Sequence, residues 1–308
     1  KGNSMTSQEL VNNAIKEGRE EKGKGTPIFI INPSFTGYWE EDSFDSIDEQ
    51  TGRLVKSSTQ RIRTAMSQAP ATIIESSKRT ISGNSGDVLF NLPLSPGFQM
   101  TQEGLDTLRS QGIGVFGDAE GHVFIQPSSN SPIRIEVARN SGLPNTGIHS
   151  RDEAISETNL PPEISTELDR IGNLTADSLG KIQEWKDFMQ KFFKYPPDNQ
   201  VESMYSAVDA STSRLRAMTS GKLLDCYLAR EFFVAGLKRL NLVGIEWRLV
   251  NGHYIASPQK DGTAQIHSGT GHAWVKLRLE GQRNWLIVDP TPPGDPIHQE
   301  EGAMGESE

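Results

Sequence analysis

The chain has 308 residues, of which 34% are hydrophobic, and a formal net charge of -9 at pH 7. This length suffices for two domains that each bury a core. Nucleic-acid binding draws its affinity from clustered Lys and Arg, and because no such stripe is visible, the composition argues against nucleic acid as an obligatory partner. No run of about eighteen or more apolar residues occurs, so the sequence predicts no membrane contact by this segment, although a flanking segment outside it could anchor the protein.

The residue pattern divides the chain into five parts. Residues 1–25 are charged and predict a flexible or helical arm, and residues 26–140 predict a β-rich domain. Residues 141–165 are rich in Ser, Gly, Asn and Pro, which predicts a linker. Residues 166–295 predict a second domain of helices and strands, and residues 296–308 predict an acidic, mobile tail that starts close to Gly294.

Short apolar runs between Gly, Pro, Asn and Ser turns predict strands in the first domain. In residues 133–137, three apolar side chains alternate with Arg134 and Glu136, the pattern of a strand with one wet face. One or two helical turns over 101–111 and a hairpin loop over 117–121 are also predicted. We therefore expect an all-β, sandwich-like or otherwise antiparallel domain. The other strand-like runs are 28–31, 71–74, 88–90 and 122–125.

The second domain changes to a helical period. Apolar residues recur at three- and four-residue intervals over 179–192 and again over about 225–240, which predicts two amphipathic helices. Residues 198–220 form a polar stretch between them. Three predicted strands finish the domain, and helices followed by an antiparallel sheet indicate an α+β fold. These strands are 245–255, 272–279 and 285–288.

Cys226 is the only cysteine of the chain, and it begins the second predicted helix. A single cysteine excludes an intramolecular disulfide. A helix N-terminus favours the thiolate through its aligned backbone dipoles, so this position suits a nucleophile. The alternative is that Cys226 is a small buried hydrophobic residue, since free cysteines are among the most buried residues.

His272 and Asp289 supply the other two groups that thiol acyl-transfer chemistry requires. His272 begins a predicted strand, and a strand end that faces a helix start brings a base to a nucleophile. Asp289 ends the following strand, where its carboxylate can accept a hydrogen bond from the imidazole. Taken singly, His272 is also explained as a strand-terminal histidine bonded to the backbone, and Asp289-Pro290 as the start of a turn.

These residues carry a resemblance over about residues 180 to 295. The sequence resembles the transglutaminase-like superfamily, whose core is related to papain-type cysteine peptidases. The resemblance implies that Cys226 is the nucleophile, His272 the general base and acid, and Asp289 the orienting carboxylate. The motifs, in chain order, are Gly221-x4-Cys226-x2-Ala229, Arg248-x-Val250-x-Gly252-x-Tyr254, Gly271-His272-Ala273-Trp274-Val275 and Trp285-x3-Asp289-Pro290-Thr291-Pro292.

A β-rich domain before the core is also similar to many bacterial members, where it is an accessory module. The sequence does not determine the cellular compartment. We expect an exported protein or the soluble portion of a membrane-anchored bacterial protein. One departure from the family pattern is that Leu224, not glycine, stands two residues before Cys226. Asp225 either repels a developing thiolate or caps the helix, and we favour the cap.

Further residues are candidates for the cleft. The oxyanion requires the backbone N–H of Cys226 and a second donor, for which Tyr205 and Tyr195 are the candidates. Trp274 and Trp285 flank the predicted catalytic strands and are candidates for the substrate cleft, although core packing is the explanation that we favour for both.

His253 and His267 raise the question of a metal site together with His272. No carboxylate or thiol spacing supports such a site, so neither a metal nor another cofactor is expected.

The expected function is that of a cysteine-dependent acyl-transfer enzyme acting on a protein or peptide substrate. A thioester forms on Cys226, and water as acceptor makes the enzyme a peptidase or deamidase. Hydrolysis is the simpler prediction because it needs no second substrate site. The alternatives are a protein-crosslinking transglutaminase and a non-catalytic binding or scaffold module that keeps the fold.

Overall fold

The computed structural model describes residues 27–32, 34, 36–47, 54–55, 78–83, 90–94, 98–117, 121–126, 133–139, 160–282 and 285–299. Both long helices predicted from the sequence are present, and so is the short helix predicted in the first domain. Among the described residues, no helix combines the length and apolarity that crossing a membrane requires. The helices are α1 (Gln102–Ser110), α2 (Pro162–Gly172), α3 (Ser178–Phe192), α4 (Asp198–Asp209), α5 (Arg214–Gly221), α6 (Cys226–Leu240) and α7 (Pro296–Gln299).

Most of the described strands lie in the first half of the chain, and the last four follow α6. The three strands predicted after residue 240 are confirmed. The strands are β1 (Pro27–Asn32), β2 (Gly37–Phe44), β3 (Ser46–Ile47), β4 (Leu54–Val55), β5 (Lys78–Gly83), β6 (Phe90–Leu92), β7 (Phe98–Met100), β8 (Gly114–Gly117), β9 (Val123–Gln126), β10 (Ile133–Arg139), β11 (Ile245–Ile255), β12 (Ala264–His267), β13 (Gly271–Leu279) and β14 (Leu286–Val288).

All pairs among the described strands are antiparallel, and these strands form four sheets. The strand orders are β12-β1-β5-β10-β7, β14-β13-β11-β2, β6-β9-β8 and β3-β4. Two of these sheets combine strands from both halves of the chain: β2 pairs with β11, and β12 pairs with β1. The predicted α+β class is therefore confirmed. Strands from the two halves of the chain thus share sheets. The division into two domains stays a prediction.

Several predicted features fall partly or wholly outside the described residues. The arm over 1–25 and the strand-like run over 71–74 lie there, as do 141–159 of the linker predicted over 141–165. The last four residues of that predicted linker belong to α2, which begins at Pro162. The predicted hairpin is present in its two strands, since Gly117 of β8 pairs with Val123 of β9, but 118–120 lie outside the described residues.

The polar stretch over 198–220 is largely helical, which the sequence did not predict. Helix α4 buries only Met204 and Val208, and α5 buries Leu215 and Met218 among its apolar side chains. Two apolar contacts in each helix are too few to produce a recognisable period, and the helices are stabilised by packing against the rest of the core.

Helix α6 lies at the centre of the helical core. Its N-cap is Asp225, whose side chain accepts a hydrogen bond from the backbone N–H of Leu228 at 3.0 Å. Its C-cap Asn241 adopts the left-handed conformation (φ 46°), in which Asn is one of the better tolerated residues. Nearly all residues of the first three turns are buried, so α6 holds its N-terminus rigidly against β13.

Glycine at position 236 allows α6 and α3 to approach closely. A Cβ at Gly236 would overlap the ring of Trp185, which is fully buried. The indole N–H of Trp185 donates to the carbonyl of Phe233 at 3.0 Å, which fixes the ring in this position. The backbone of α6 is therefore anchored directly to the neighbouring helix.

Candidate active site

His272 lies near the start of β13 and is fully buried. Its Nε2 is 2.6 Å from Oδ2 of Asp289, which follows the end of β14. The two residues meet because β13 and β14 pair antiparallel, with Val275 opposite Val288. A carboxylate only accepts, so Nε2 carries the proton and the ring orientation is fixed by this bond.

Asp289 is held by two further donors. The hydroxyl of Tyr38 donates to Oδ2 at 2.9 Å, and the backbone N–H of Thr291 donates to Oδ1 at 3.0 Å. Tyr38 comes from β2, where it pairs with Tyr254 of β11. The first half of the chain therefore contributes directly to this site. Tyr38 was not predicted from the sequence, because no local motif marks it.

Cys226 is the first residue of α6 and is 4% exposed. Its Sγ, a ring nitrogen of His272 and a carboxylate oxygen of Asp295 all lie within 4.8 Å of one another. The structure therefore brings together the three side chains that the sequence analysis selected, since Asp289 holds the opposite side of the same imidazole.

Asp295 is a second carboxylate beside the imidazole, and the sequence analysis missed it. Its Oδ2 is 3.8 Å from Nδ1 of His272, and its Oδ1 accepts a hydrogen bond from the N–H of Ile297 at 3.1 Å. The side chain is almost fully buried. Residues near Gly294 were expected to begin a mobile tail, whereas Asp295 is buried and α7 covers 296–299. The only local signal was Asp-Pro, which also begins turns and short helices.

Asp225 acts as the helix cap, the alternative favoured from the sequence. Besides its bond to Leu228, it accepts the hydroxyl of Tyr205 at 3.0 and 2.8 Å. A hydroxyl has one proton, so Tyr205 must release Asp225 before it can donate to an oxyanion. Tyr195, the other candidate donor, is half-buried beside Gly294. Which of the two donates stays a prediction.

The two candidate cleft tryptophans have different surroundings. Trp274 is buried, its ring lies 6.1 Å from the ring of His272 in a stacked arrangement, and it is 5.1 Å from the ring of Tyr38. Trp285 instead packs under cations, with Lys276 at 5.0 Å and Arg278 at 4.8 Å from its ring centre. Trp274 therefore borders the imidazole, whereas Trp285 contacts the cationic side chains of Lys276 and Arg278.

Arg230 places a buried positive charge one helical turn after Cys226. Its guanidinium donates to the carbonyl of Val250 at 2.7 Å and to the side-chain oxygen of Asn251. It forms no salt bridge within the described residues, because the neighbouring Glu231 is paired with Arg214. Burial lowers the pKa of Arg230, an effect opposed by groups that include Cys226. The charge at this position therefore favours a negative thiolate.

His253 and His267 are occupied elsewhere. His253 bonds Thr270 and Glu41, each at 3.0 Å, and Nδ1 of His267 accepts the N–H of Gly269 at 3.1 Å. In the part of the chain that the structure describes, neither belongs to a group of three potential metal ligands.

The fold is transglutaminase-like, as the sequence motifs predicted, and two solved structures share it. The structure is similar to the periplasmic domain of TgpA from Pseudomonas aeruginosa bound to ethylmercury, with a TM-score of 0.58 and 15% sequence identity over 91% of this chain and 93% of that chain. A second structure of that domain gives a TM-score of 0.55 and 14% identity over 90% of each chain. No protein-family model and no curated protein matches the sequence.

Proposed function

We propose that the protein is a cysteine-dependent acyl-transfer enzyme that hydrolyses peptide bonds or glutamine side-chain amides through a thioester. The observation that carries the proposal is the meeting of Cys226, at the start of α6, with His272, whose far nitrogen is bonded to Asp289. A nucleophile, a base and an orienting carboxylate in this order are the arrangement that acyl transfer requires. The similarity to a periplasmic domain favours an exported location.

The first half-reaction forms the thioester. His272 takes the proton of the Cys226 thiol at Nδ1, and the thiolate attacks the carbonyl carbon of the amide. The backbone N–H of Cys226 lies in the first turn of the helix, where the backbone donors point out of the helix end, and we assign it as one donor to the oxyanion. The imidazolium then returns its proton to the leaving nitrogen, and an amine or ammonia departs.

The second half-reaction releases the acyl group. His272 removes a proton from water, the resulting hydroxide attacks the thioester carbon, and the sulfur leaves as thiolate and is reprotonated. Throughout both halves Asp289 stays ionised, fixes the imidazole and stabilises its charged form. Tyr38 and the N–H of Thr291 keep that carboxylate in place.

The decisive experiment is incubation with a glutamine-containing protein and a labelled primary amine, followed by mass spectrometry. We expect either chain cleavage or conversion of glutamine to glutamate, and Cys226→Ser and His272→Ala should abolish both. His267→Asn is the matched control, since that histidine caps a short turn by accepting the N–H of Gly269. Incorporation of the amine would establish the crosslinking alternative instead, and no change in any substrate would count against an enzyme.

A non-catalytic module is the second candidate, and the burial of Cys226 and His272 favours it. Titration with a fluorescent iodoacetamide separates the two. For an enzyme, Cys226 reacts faster than free cysteine near neutral pH, and His272→Ala removes the advantage. For a scaffold, the thiol reacts no faster than free cysteine and shows no histidine-dependent pH profile.

A further inference from the structure

Three side chains with metal-binding atoms converge at the start of α6. Cys226, His272 and Asp295 each present one such atom, these atoms lie within 4.8 Å of one another, and all three residues are buried. Thiolate, imidazole and carboxylate are the ligands that Zn²⁺ uses in proteins. The sequence itself predicts no metal site, because only His253 and His267 suggest partners for His272 and no local spacing marks Asp295 as a ligand.

The distances are close to those of a zinc site. Bonds of about 2.0 to 2.3 Å in a tetrahedron hold the ligand atoms about 3.3 to 3.8 Å apart. Nδ1 of His272 and Oδ2 of Asp295 are 3.8 Å apart. The distances from Cys226 Sγ to the other two ligand atoms are at most 4.8 Å. The side chains therefore need to move closer by at most about 1 Å to reach the spacing of a zinc site.

The outer contacts of His272 are those of a metal-binding histidine. Metal-ligating imidazoles donate their other N–H to a carboxylate or carbonyl, which fixes the tautomer and directs the lone pair at the ion. Here Nε2 is bonded to Asp289 at 2.6 Å, and Nδ1 is the nitrogen on the side of Asp295. The second ligand is oriented too, since Oδ1 of Asp295 is held by the N–H of Ile297.

The charge of the cluster also favours a divalent cation. Asp289, Asp295 and a Cys226 thiolate each carry a negative charge, and all are close to one imidazole. Arg230 and an imidazolium together offset two of these three charges, whereas Arg230 and a zinc ion offset all three and leave the imidazole neutral. Burial makes this difference large, because uncompensated charge is costly away from water.

From this arrangement we infer that the site binds Zn²⁺ through Cys226 Sγ, His272 Nδ1 and Asp295 Oδ2, and that the bound ion inhibits thiol chemistry. Three protein ligands leave a fourth position for water. Binding displaces the thiol proton to solvent, so zinc affinity falls as the pH is lowered. The inhibitory consequence rests on the proposed function, because the ion occupies both the nucleophile and its base, whereas the binding itself does not.

Titration with Co²⁺, a spectroscopic substitute for zinc, tests the inference on the whole chain. We expect a near-ultraviolet thiolate-to-cobalt absorption band, which only Cys226 can produce because the chain has no other cysteine. Added Zn²⁺ should remove the band, and stoichiometric zinc should protect Cys226 from iodoacetamide until a chelator is added. Absence of the band and of any protection would overturn the inference.

Three variants locate the site. Cys226→Ser should abolish the band, and Asp295→Asn should weaken Co²⁺ binding about tenfold or more while keeping an N-cap acceptor. Asp198→Asn, at the exposed start of α4, is the matched control and should bind normally. Equal affinity in the Asp295→Asn variant and the parent protein would refute the assignment of this ligand.

The spectrum also separates this inference from the proposed function. If the protein shows the cobalt band but hydrolyses no amide, the metal site is supported and the proposed enzymatic activity is refuted. If the protein hydrolyses amides but shows neither the cobalt band nor inhibition by zinc, the enzymatic activity is supported and the metal site is refuted.

Discussion

The hydroxyl of Tyr38 donates to Oδ2 of Asp289 at 2.9 Å across 251 positions of sequence. The same oxygen is bonded to Nε2 of His272. Tyr38 reaches it because β2 is the edge strand of the sheet that contains β11 and β13. The first half of the chain therefore completes the support of the candidate base.

Tyr38→Phe tests this support. Removing a hydrogen bond to a charged group costs about 1.5 to 3 kcal/mol, so we expect amide hydrolysis to slow by about tenfold or more, through kcat and not KM. The pH profile of the reaction should also change, because the carboxylate is then held less firmly against the imidazole. Tyr254→Phe, which alters the neighbouring ring, is the matched control. Equal rates for Tyr38→Phe and the parent protein would show that Thr291 alone positions Asp289.

Arg230→Met tests the buried charge beside the thiol. Without the guanidinium the thiolate of Cys226 loses a nearby positive charge, so the midpoint of iodoacetamide alkylation should move to higher pH by about one unit. Arg230→Lys keeps the charge and should restore most of the parent profile. Arg239→Met, on the exposed side of the same helix, should leave the profile unchanged.

A purely structural Arg230 gives a different result. It would lower the melting temperature in both Arg230 variants, because the carbonyl of Val250 loses a donor, yet leave the alkylation midpoint in place. Circular dichroism at each pH separates loss of fold from loss of reactivity.

The buried carboxylate of Glu40 should make the fold less stable in acid. Burial alone would raise its pKa, but Lys276 and His122, at 2.5 and 2.7 Å, lower it from 4.5 to about 2. A depressed carboxyl pKa stabilises the fold above pH 4.5, and this contribution, about 3 kcal/mol, is lost as the pH falls towards 2. Urea unfolding across this range should show the slope. Glu40→Gln should flatten it, and an unchanged slope in that variant would assign the effect to other carboxyls.

Gly252→Ala tests the close contact between β2 and β11. A Cβ at Gly252 would overlap the carbonyl oxygen of Trp39 and lie 2.8 Å from the ring of Trp274. The strands must separate to accept it, so we expect a loss of about 1 to 3 kcal/mol in the free energy of unfolding. Gly221→Ala is the control, since a Cβ there meets nothing within 4 Å. Equal stability of the two variants would contradict the tight packing of this strand pair.

The sequence predicted much of the second half of the chain. The helical period located α3 and α6, and apolar runs located the strands β11 and β13, because these elements are largely buried. Helices α4 and α5 escaped prediction because each buries few apolar residues. The α+β class and the transglutaminase-like fold are confirmed, and the roles of the selected site residues stay predictions.

Cys226, His272 and Asp289 could be chosen from sequence alone, because each is a chemically distinctive residue at the end of a locally encoded element. Tyr38 and Asp295 could not be chosen in this way. A tyrosine on an edge strand and an aspartate before a proline carry no local mark of function, and their positions depend on pairing between β2 and β11 and on the burial of the segment after β14. Local periodicity and capping thus determined the elements and the reactive residues, whereas long-range strand pairing and the burial of charge decided which carboxylates and hydroxyls surround the imidazole.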